Sequence, residues 1–346
     1  MKSRVEFPPS AGDSAENVAC PICLEPHAIA GSPGRDRLFK LAQGFFPLFR
    51  CVACGCIFQH PFPEDRALAQ FYPQKYWWAE GEKQERGLAR WLRRLEKVYR
   101  EFVVADHVRF LDSCALKNNR EGKQLLDIGC GGGTFLHVAQ SHGFIPHGMD
   151  QSAEAVDIAS RQYGYPVRQG EIGSRIWEER RFDFVTMFHV LEHLSNPRQG
   201  LKFAGDLLRP GGVLIVQVPN AASVQARLFG NRWHGLDVPR HVINYTPRSL
   251  GFLLRDMGFE YSLIPRFSLR DNPASIASSL AAWLDPIGRK ALRRRANPLF
   301  NGVLEIAYLG VFLLALPPAF LESAFGFGGT LWACARKKEQ KLQSYC

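Results

Sequence analysis

The chain has 346 residues, 46% hydrophobic and 22% charged, enough to form a packed core without disulfide staples. It has room for one large domain plus a small one, or for two modest ones. The formal net charge of +10 clusters at 86–100, 289–295 and 336–341. Such patches can face nucleic acid, anionic lipid or phosphorylated substrates, but each reads first as a solvated helix face.

Residues 1–18 read as a loose polar tail. Their opening, MKSRVEFPPS, has no apolar run, which argues against a secretory signal and for a cytoplasmic chain. Residues 19–62 hold five of the nine cysteines. Cys20-x-x-Cys23 and Cys51-x-x-Cys54 form two knuckles separated by 27 residues. In a cytosolic chain such a cluster points to metal rather than disulfides. Four thiolates suit a tetrahedral structural zinc, and a full ligand set leaves no open position for metal catalysis. Cys56 reads as a spare thiol or an alternative ligand. Residues 63–118 read as a connector: an aromatic stretch, FYPQKYWW, then one or two amphipathic helices over 86–116.

From 119 to 346 apolar strands alternate with helical patterns, the signature of an α/β sheet covered on both faces. Strands are predicted at 124–129, 145–150, 166–169, 182–188 and 212–218, then near 259–265 and 329–335. Helices are predicted near 134–142, 152–163, 197–208 and 247–257. Their start signals are Thr134, Ser152, Asn196 before Pro197, and Thr246 before Pro247. The turn RPGG at 209–212 is expected to end one helix and open the fifth strand.

An insert, 270–327, interrupts this alternation. Its stretch LFNGVLEIAYLGVFLLAL, 299–316, is strongly apolar, contains Glu305, and is followed by Pro317 and Pro318, which are expected to break it. Eighteen residues is the low end for a membrane span. If 329–335 joins the same sheet, the chain must return to the side it left, which excludes a single pass. A buried helix is the first reading. A re-entrant hairpin and an interfacial helix, with Arg293, Arg294 and Arg295 against anionic lipid, are the others. The interfacial reading predicts peripheral contact through 299–325 with the inner face of a membrane.

The most specific stretch is QLLDIGCGGGTF, 124–135: a buried strand, a glycine turn and a helix start, followed by Asp150 in HGMD. This arrangement aims backbone N–H groups and a helix N-terminus at a nucleoside-type ligand. A dinucleotide fingerprint would need glycines at 129, 131 and 134, but position 134 is Thr134. The pattern Asp127-x-Gly129-x-Gly131-x-Gly133 resembles motif I of the class I S-adenosylmethionine (SAM)-dependent methyltransferases.

FDFVTMFHVLEHL, 182–194, resembles that family's fourth strand and following turn, and RPGGVLIVQVPN, 209–220, its fifth-strand motif. The resemblance implies a Rossmann-like, seven-stranded, mostly parallel sheet with helices on both faces, and SAM as cofactor. Gly129, Cys130, Gly131 and Gly133 would let the backbone approach the methionine part and ribose. Asp127 would hold the ammonium, Asp150 the ribose hydroxyls, and Gln151 the adenine edge. Glu171 would lie near the adenine amino group, with His189 and Val190 lining the methionine side.

The segment 220–247 resembles a block, RLFG-x-x-W-x-x-LD-x-PRH, of a broad bacterial branch. It follows the fifth strand, where α/β folds place substrate loops. Trp233, Arg240 and Tyr245 are its candidate acceptor contacts, with Arg240 suited to an acidic or phosphorylated group. His193 and His241 are the candidate general bases. The competing readings are a backbone-fixed His193 at a helix start and a His241 hydrogen-bonded to Asp237. CVACGCIFQHPFP, in turn, resembles the zinc-ribbon start of several small-molecule and sugar methyltransferases. The resemblance implies methyl transfer to a small-molecule hydroxyl on a sugar, lipid-linked or other hydrophobic metabolite. The alternatives are a quinone-type O-methyltransferase, a nucleotide-sugar C-methyltransferase and, from another class, a zinc-ribbon nucleic-acid-binding or RNA-modifying protein. Nucleic acid is disfavoured as a partner because no base-reading motif occurs.

Overall fold

The computed structural model of the chain describes residues 18–63, 68, 70–73, 88–114, 122–292 and 298–337. The polar tail, most of the aromatic stretch, Arg293–Arg295 and the last basic residues lie outside them.

Two sheets carry the fold. The small one comprises β1 (Ala28–Ala30), β2 (Leu48–Cys51), β3 (Ile57–Gln59) and, from far along the chain, β9 (Ile243–Asn244), in the order β1-β2-β3-β9. The large sheet has seven strands. Five of them, β4 (Gln124–Ile128), β5 (Ile145–Asp150), β6 (Val167–Gln169), β7 (Phe182–Phe188) and β8 (Leu208–Pro219), run parallel. The other two are β10 (Phe259–Pro265) and β11 (Thr330–Lys337), and β11 lies antiparallel between β10 and β8. The order is β10-β11-β8-β7-β4-β5-β6. The chain reverses its winding between β5 and β7 on either side of β4, which opens a crevice at the carboxyl ends of these strands.

The strands read as near-continuous apolar runs because both faces are covered. Leu126, Ile128, Val185, Met187, Leu214 and Val216 point into one layer. Their alternates Leu125, Phe184, Val213 and Ile215 pack with Phe135 and Trp332 in the other. The helices are α1 (Leu88–Cys114), α2 (Thr134–Ser141), α3 (Ala153–Tyr163), α4 (Pro197–Leu207), α5 (Val224–Phe229) and α6 (Pro247–Asp256). The insert adds α7 (Asn272–Leu280), α8 (Pro286–Ala291) and α9 (Pro298–Ala324).

Ser152, Asn196 and Thr246 cap α3, α4 and α6 through bonds from Ala155, Gln199 and Ser249 N–H groups. At α2 the cap position falls on Gly133 instead of Thr134, with no side-chain bond. The RPGG turn also departs from expectation: it lies inside β8, where Gly211 at φ 73° lets the strand bulge without ending it.

The insert departs most. Pro317 and Pro318 lie within α9 rather than after it. Proline there removes two N–H donors and frees carbonyls about one turn earlier, which a helix with an exposed flank can tolerate. The helix is also not buried: only 11% of its most apolar 18-residue window is inside. It is neither a core helix nor a hairpin.

Polar contacts join the cysteine segment to the loop before α6. Gln59 Nε2 donates to the carbonyls of Pro239 and His241 at 3.0 Å each, and Thr246 Oγ1 donates to Cys54 O at 2.8 Å. At the centre is Arg240. Its guanidinium donates to Asp36 Oδ1 at 2.9 Å, to both oxygens of Asp237 at 2.5 and 2.9 Å, and to Phe71 O at 3.2 Å. It also lies 4.4 Å over the Phe39 ring. Burial alone would raise the Asp237 carboxyl, but Arg240 outweighs it and holds that group well below the usual carboxylate range. This contribution is present above about pH 4, where an unfolded aspartate is ionised, and is lost as pH falls through the depressed value. Arg240→Ala leaves the fully buried Asp36 without its counter-charge. It should lower unfolding stability by about 3–5 kcal/mol in urea titration at pH 7; a loss below about 1 kcal/mol would contradict the clamp.

Candidate functional site

The site is built on the β4–α2 turn. Gly129, Gly131 and Gly133 have φ of 76°, 52° and 80°. Side chains rarely adopt this left-handed region. A Cβ on Gly129 would also come within 2.6 Å of Val190 Cγ2. The turn is pinned from β5: Gly129 N–H donates to Met149 O at 2.7 Å and Gly131 N–H to Asp150 Oδ2 at 2.9 Å. The other Asp150 oxygen accepts from Ser152 N–H at 2.9 Å. Each carboxylate oxygen retains a lone pair for a ligand. With no side chain capping α2, its first N–H groups stay available as well.

Asp127, at the end of β4, is 4% exposed and accepts from Thr186 Oγ1 at 2.6 Å. Burial pushes its carboxyl up to about 7, against the opposing Thr186 bond. Cys130 is 8% exposed, and burial raises its thiol well above the ordinary value. Gln151 and Glu171 lie exposed on the β5 and β6 side of the same crevice.

Across the crevice, β7 ends in a turn where His189 has φ 55°. The His189 N–H donates to Gln217 O at 3.0 Å. Its Nδ1 lies 3.2 Å from Glu192 Oε1, and its Nε2 lies 3.4 Å from Asp271 Oδ2 at the start of α7. Burial pulls this imidazole down, but the two carboxylates outweigh it and raise it to about 9, so it carries a proton at neutral pH.

Val190 packs against the glycine turn, and three residues later stands His193. Burial and the neighbouring His241 pull His193 down to about 4. Its Nδ1 lies 3.0 Å from the Arg240 carbonyl, which can only accept. That contact keeps the proton on Nδ1 and leaves Nε2 as the basic nitrogen. The two imidazoles of His193 and His241 meet edge to face at 4.7 Å, and His241 Nδ1 lies 2.7 Å from Gly235 O. His241 Nε2 is 4.0 Å from both Glu192 and Asp237. Ligand-type atoms of Glu192, His193 and His241 lie within 4.8 Å of one another, close enough to share a cation.

The sequence reading missed Tyr72. Its hydroxyl lies 2.8 Å from His193 Nδ1, across 121 positions of chain. The only signal was its membership in an aromatic stretch beside the cysteines, which specified no partner.

The three expected acceptor contacts are buried among protein partners. Arg240 is 0% exposed and commits its guanidinium to Asp36, Asp237 and Phe71. Trp233 is 3% exposed and donates to Gln225 Oε1 at 3.3 Å, while Tyr245 is 0% exposed and donates to Leu191 O at 3.4 Å. Trp233 and Tyr245 pack in the core, and Trp233 also lines a cavity beside β2 and β3. Large and charged residues in a loop suggested ligand contacts; here the same loop supplies a strand, β9, and so is interior.

The cysteine sulfurs converge. Cys20, Cys23, Cys51 and Cys54 place their Sγ atoms within 4.8 Å of one another. Cys20–Cys54 is 3.6 Å and Cys23–Cys51 is 3.5 Å. The edge of a tetrahedron with zinc–sulfur bonds is about 3.8 Å. The Ile22 and Cys54 N–H groups donate to Cys20 and Cys51 sulfurs at 3.4 Å each, as knuckle turns would. Cys56 is a fifth sulfur, 3.4 Å from Cys20 and 3.5 Å from Cys54.

Comparison with known proteins agrees with the glycine turn. A family model described as a methyltransferase domain matches residues 92–263. The chain is 33% identical over 107 residues to the ubiquinone biosynthesis O-methyltransferase of Coxiella burnetii, covering 29% of this chain and 45% of that protein. It thus spans about half the length of the first of these relatives. It is 30% identical over 189 residues to the ubiquinone biosynthesis O-methyltransferase of Cupriavidus pinatubonensis, covering 51% of this chain and 75% of that protein. Among solved structures, a SAM-dependent methyltransferase from Archaeoglobus fulgidus aligns with TM-score 0.44 and 20% identity, over 69% of this chain and 94% of that one. The chain belongs to the class I SAM-dependent methyltransferases.

Proposed function

We propose that the chain transfers a methyl group from SAM to a hydroxyl of a small, hydrophobic or lipid-linked acceptor. The observation that carries this reading is the glycine turn held by Asp150 beside a neutral His193 whose Nδ1 is occupied. Two named relatives are O-methyltransferases, which supports transfer to oxygen.

In this reading Gly129, Cys130, Gly131 and Gly133 bring backbone against the donor. Asp150 takes the ribose hydroxyls, Gln151 and Glu171 meet the adenine, and His189 and Val190 border the methionine part. The donor's sulfonium supplies both the methyl group and its own leaving group. The chain's work is therefore orientation, exclusion of water and removal of one proton, and orientation alone can supply about 7–11 kcal/mol. His193 Nε2 takes the hydroxyl proton, and Tyr72 holds the ring as a positioning residue. His241, packed on that ring beside Glu192, is the second candidate for the proton. Cys20, Cys23, Cys51 and Cys54 hold a structural zinc, and Cys56 stands by as an alternative sulfur.

Asp127 gives the donor site a pH dependence. Below about 7 its buried carboxyl is neutral and offers no charge to the donor's ammonium. Its folded value lies above the unfolded one, so ionisation costs stability as pH rises through it, a cost that a bound ammonium offsets. SAM affinity measured by calorimetry should therefore rise from pH 6 to pH 8, and Asp127→Asn should flatten the profile. Asp150→Ala should weaken binding roughly 10- to 100-fold at pH 8, as expected for a lost bond to a charged group. Unchanged affinity in both variants would overturn the assignment.

His193→Ala should lower turnover about 10²- to 10⁴-fold with SAM affinity kept. Tyr72→Phe should lower it less and shift the pH profile. Full activity in His193→Ala and in His241→Ala would leave catalysis to positioning.

Purified protein should carry one zinc per chain by mass spectrometry, lost in Cys20→Ser/Cys51→Ser and kept in Cys56→Ser. A well-folded, natively purified chain without zinc would end the zinc assignment.

A further inference from the structure

The insert turns most of its large apolar side chains outward. The inward side of α9 is narrow and partly polar: Ala315 and Ala319 pack on Ile276, Tyr308 Oη lies 3.1 Å from Ser278 Oγ, and Ser323 Oγ accepts from Asn272 Nδ2 at 2.9 Å. Glu322 accepts from Gln225 N–H and Nε2 at 3.2 and 3.0 Å. The outward side carries the apolar ones. Val303, Ile306, Leu309, Leu313, Leu314 and Phe320 are 62, 72, 54, 52, 79 and 58% exposed. On the outward side of α9 Glu305 is the acidic residue, and the helix has no lysine or arginine. A surface helix in water shows the reverse arrangement, and so large an apolar patch marks an interaction surface.

The surroundings select the partner. The α7–α8 corner exposes Trp283 at 65%, an aromatic of the kind that settles at headgroup depth. The last turn of α8 carries the exposed Lys290 and the half-buried Arg289, whose Nε donates to Leu284 O at 3.1 Å, and Arg293, Arg294 and Arg295 follow in the sequence before α9 begins. Apolar surface flanked by cations complements an anionic bilayer; a second copy of the chain would bring the same cations against each other. Topology sets the orientation. The insert leaves β10 at Pro265 and returns to β11 opposite it at Leu331, so both ends sit at one edge of the sheet. A helix of 27 residues is about 40 Å long. Anchored in this way, it lies along a surface and does not cross it.

We propose that α9, with Trp283 and the α8 basic cluster, is an interfacial helix that docks the chain on anionic lipid bilayers. The insert is also rooted in the site, because Asp271 at the start of α7 is the partner of His189. Docking therefore brings the crevice to the lipid surface, where an acceptor with a greasy tail resides. The docking face is independent of the methyl-transfer reading and is tested without turnover.

The test is flotation of the full chain with vesicles of phosphatidylethanolamine and phosphatidylglycerol, and with vesicles of phosphatidylcholine alone. The chain should rise with the anionic vesicles at least about tenfold more than with the neutral ones, and release in part at roughly 0.5 M salt. Leu309→Glu/Leu313→Glu, on the outer face, should abolish flotation with melting temperature and SAM binding retained. Lys290→Glu should weaken only the anionic preference. Absence of flotation with anionic vesicles would overturn the proposal. A vesicle-free dimer by sedimentation velocity, broken by the same leucine variants, would overturn it too and assign the face to a second copy.

Discussion

Between Ile128 and Thr134 the backbone turns left-handed three times, and the rest of the crevice is arranged around that constraint. Each such residue would cost about 1–2 kcal/mol with a side chain, so glycine is favoured at all three. The turn cannot drift, because the Asp150 carboxylate and the Met149 carbonyl hold its N–H groups. At Gly129 it also cannot be filled, because Val190 occupies the space a Cβ would need. Thus β4, β5 and the end of β7 are fixed against one another at a single point. The residues after Val190, including Glu192 and His193, take their positions from it.

A second constraint is electrostatic. Around the crevice, two clusters of buried charge are paired: His189 lies between Glu192 and Asp271, and Arg240 between Asp36 and Asp237. Both clusters link distant parts of the chain. His189 ties the insert to the β7 turn, and Arg240 ties the cysteine segment to the loop before α6. His189 and Asp237 also hold positive φ without being glycine, strain that the pairing sustains. The small sheet, the insert and the large sheet therefore meet at one site even though they are far apart in sequence.

The parallel strands and their helices were legible because buried strands give unbroken apolar runs and caps announce helices locally. The glycine turn was legible for the same reason: positive φ restricts residue type position by position. What escaped depended on contacts between remote segments. Tyr72 and His193 meet across 121 positions of chain, and β3 and β9 likewise pair from remote segments. Trp233, Arg240 and Tyr245 looked like acceptor contacts because a long polar-aromatic loop usually faces solvent. This one contributes β9 and closes over the core. The proline pair in α9 suggested a break, yet the helix runs through it, since its outer flank makes few packing demands.

The measurement that bears most directly on the account is a crystal structure of the chain with SAM bound. Ribose hydroxyls should lie on the Asp150 carboxylate, the methionine part over Gly129–Gly133, and the ammonium should be directed at Asp127. A donor bound elsewhere, or one that leaves Asp150 in contact only with Gly131 and Ser152, would contradict it.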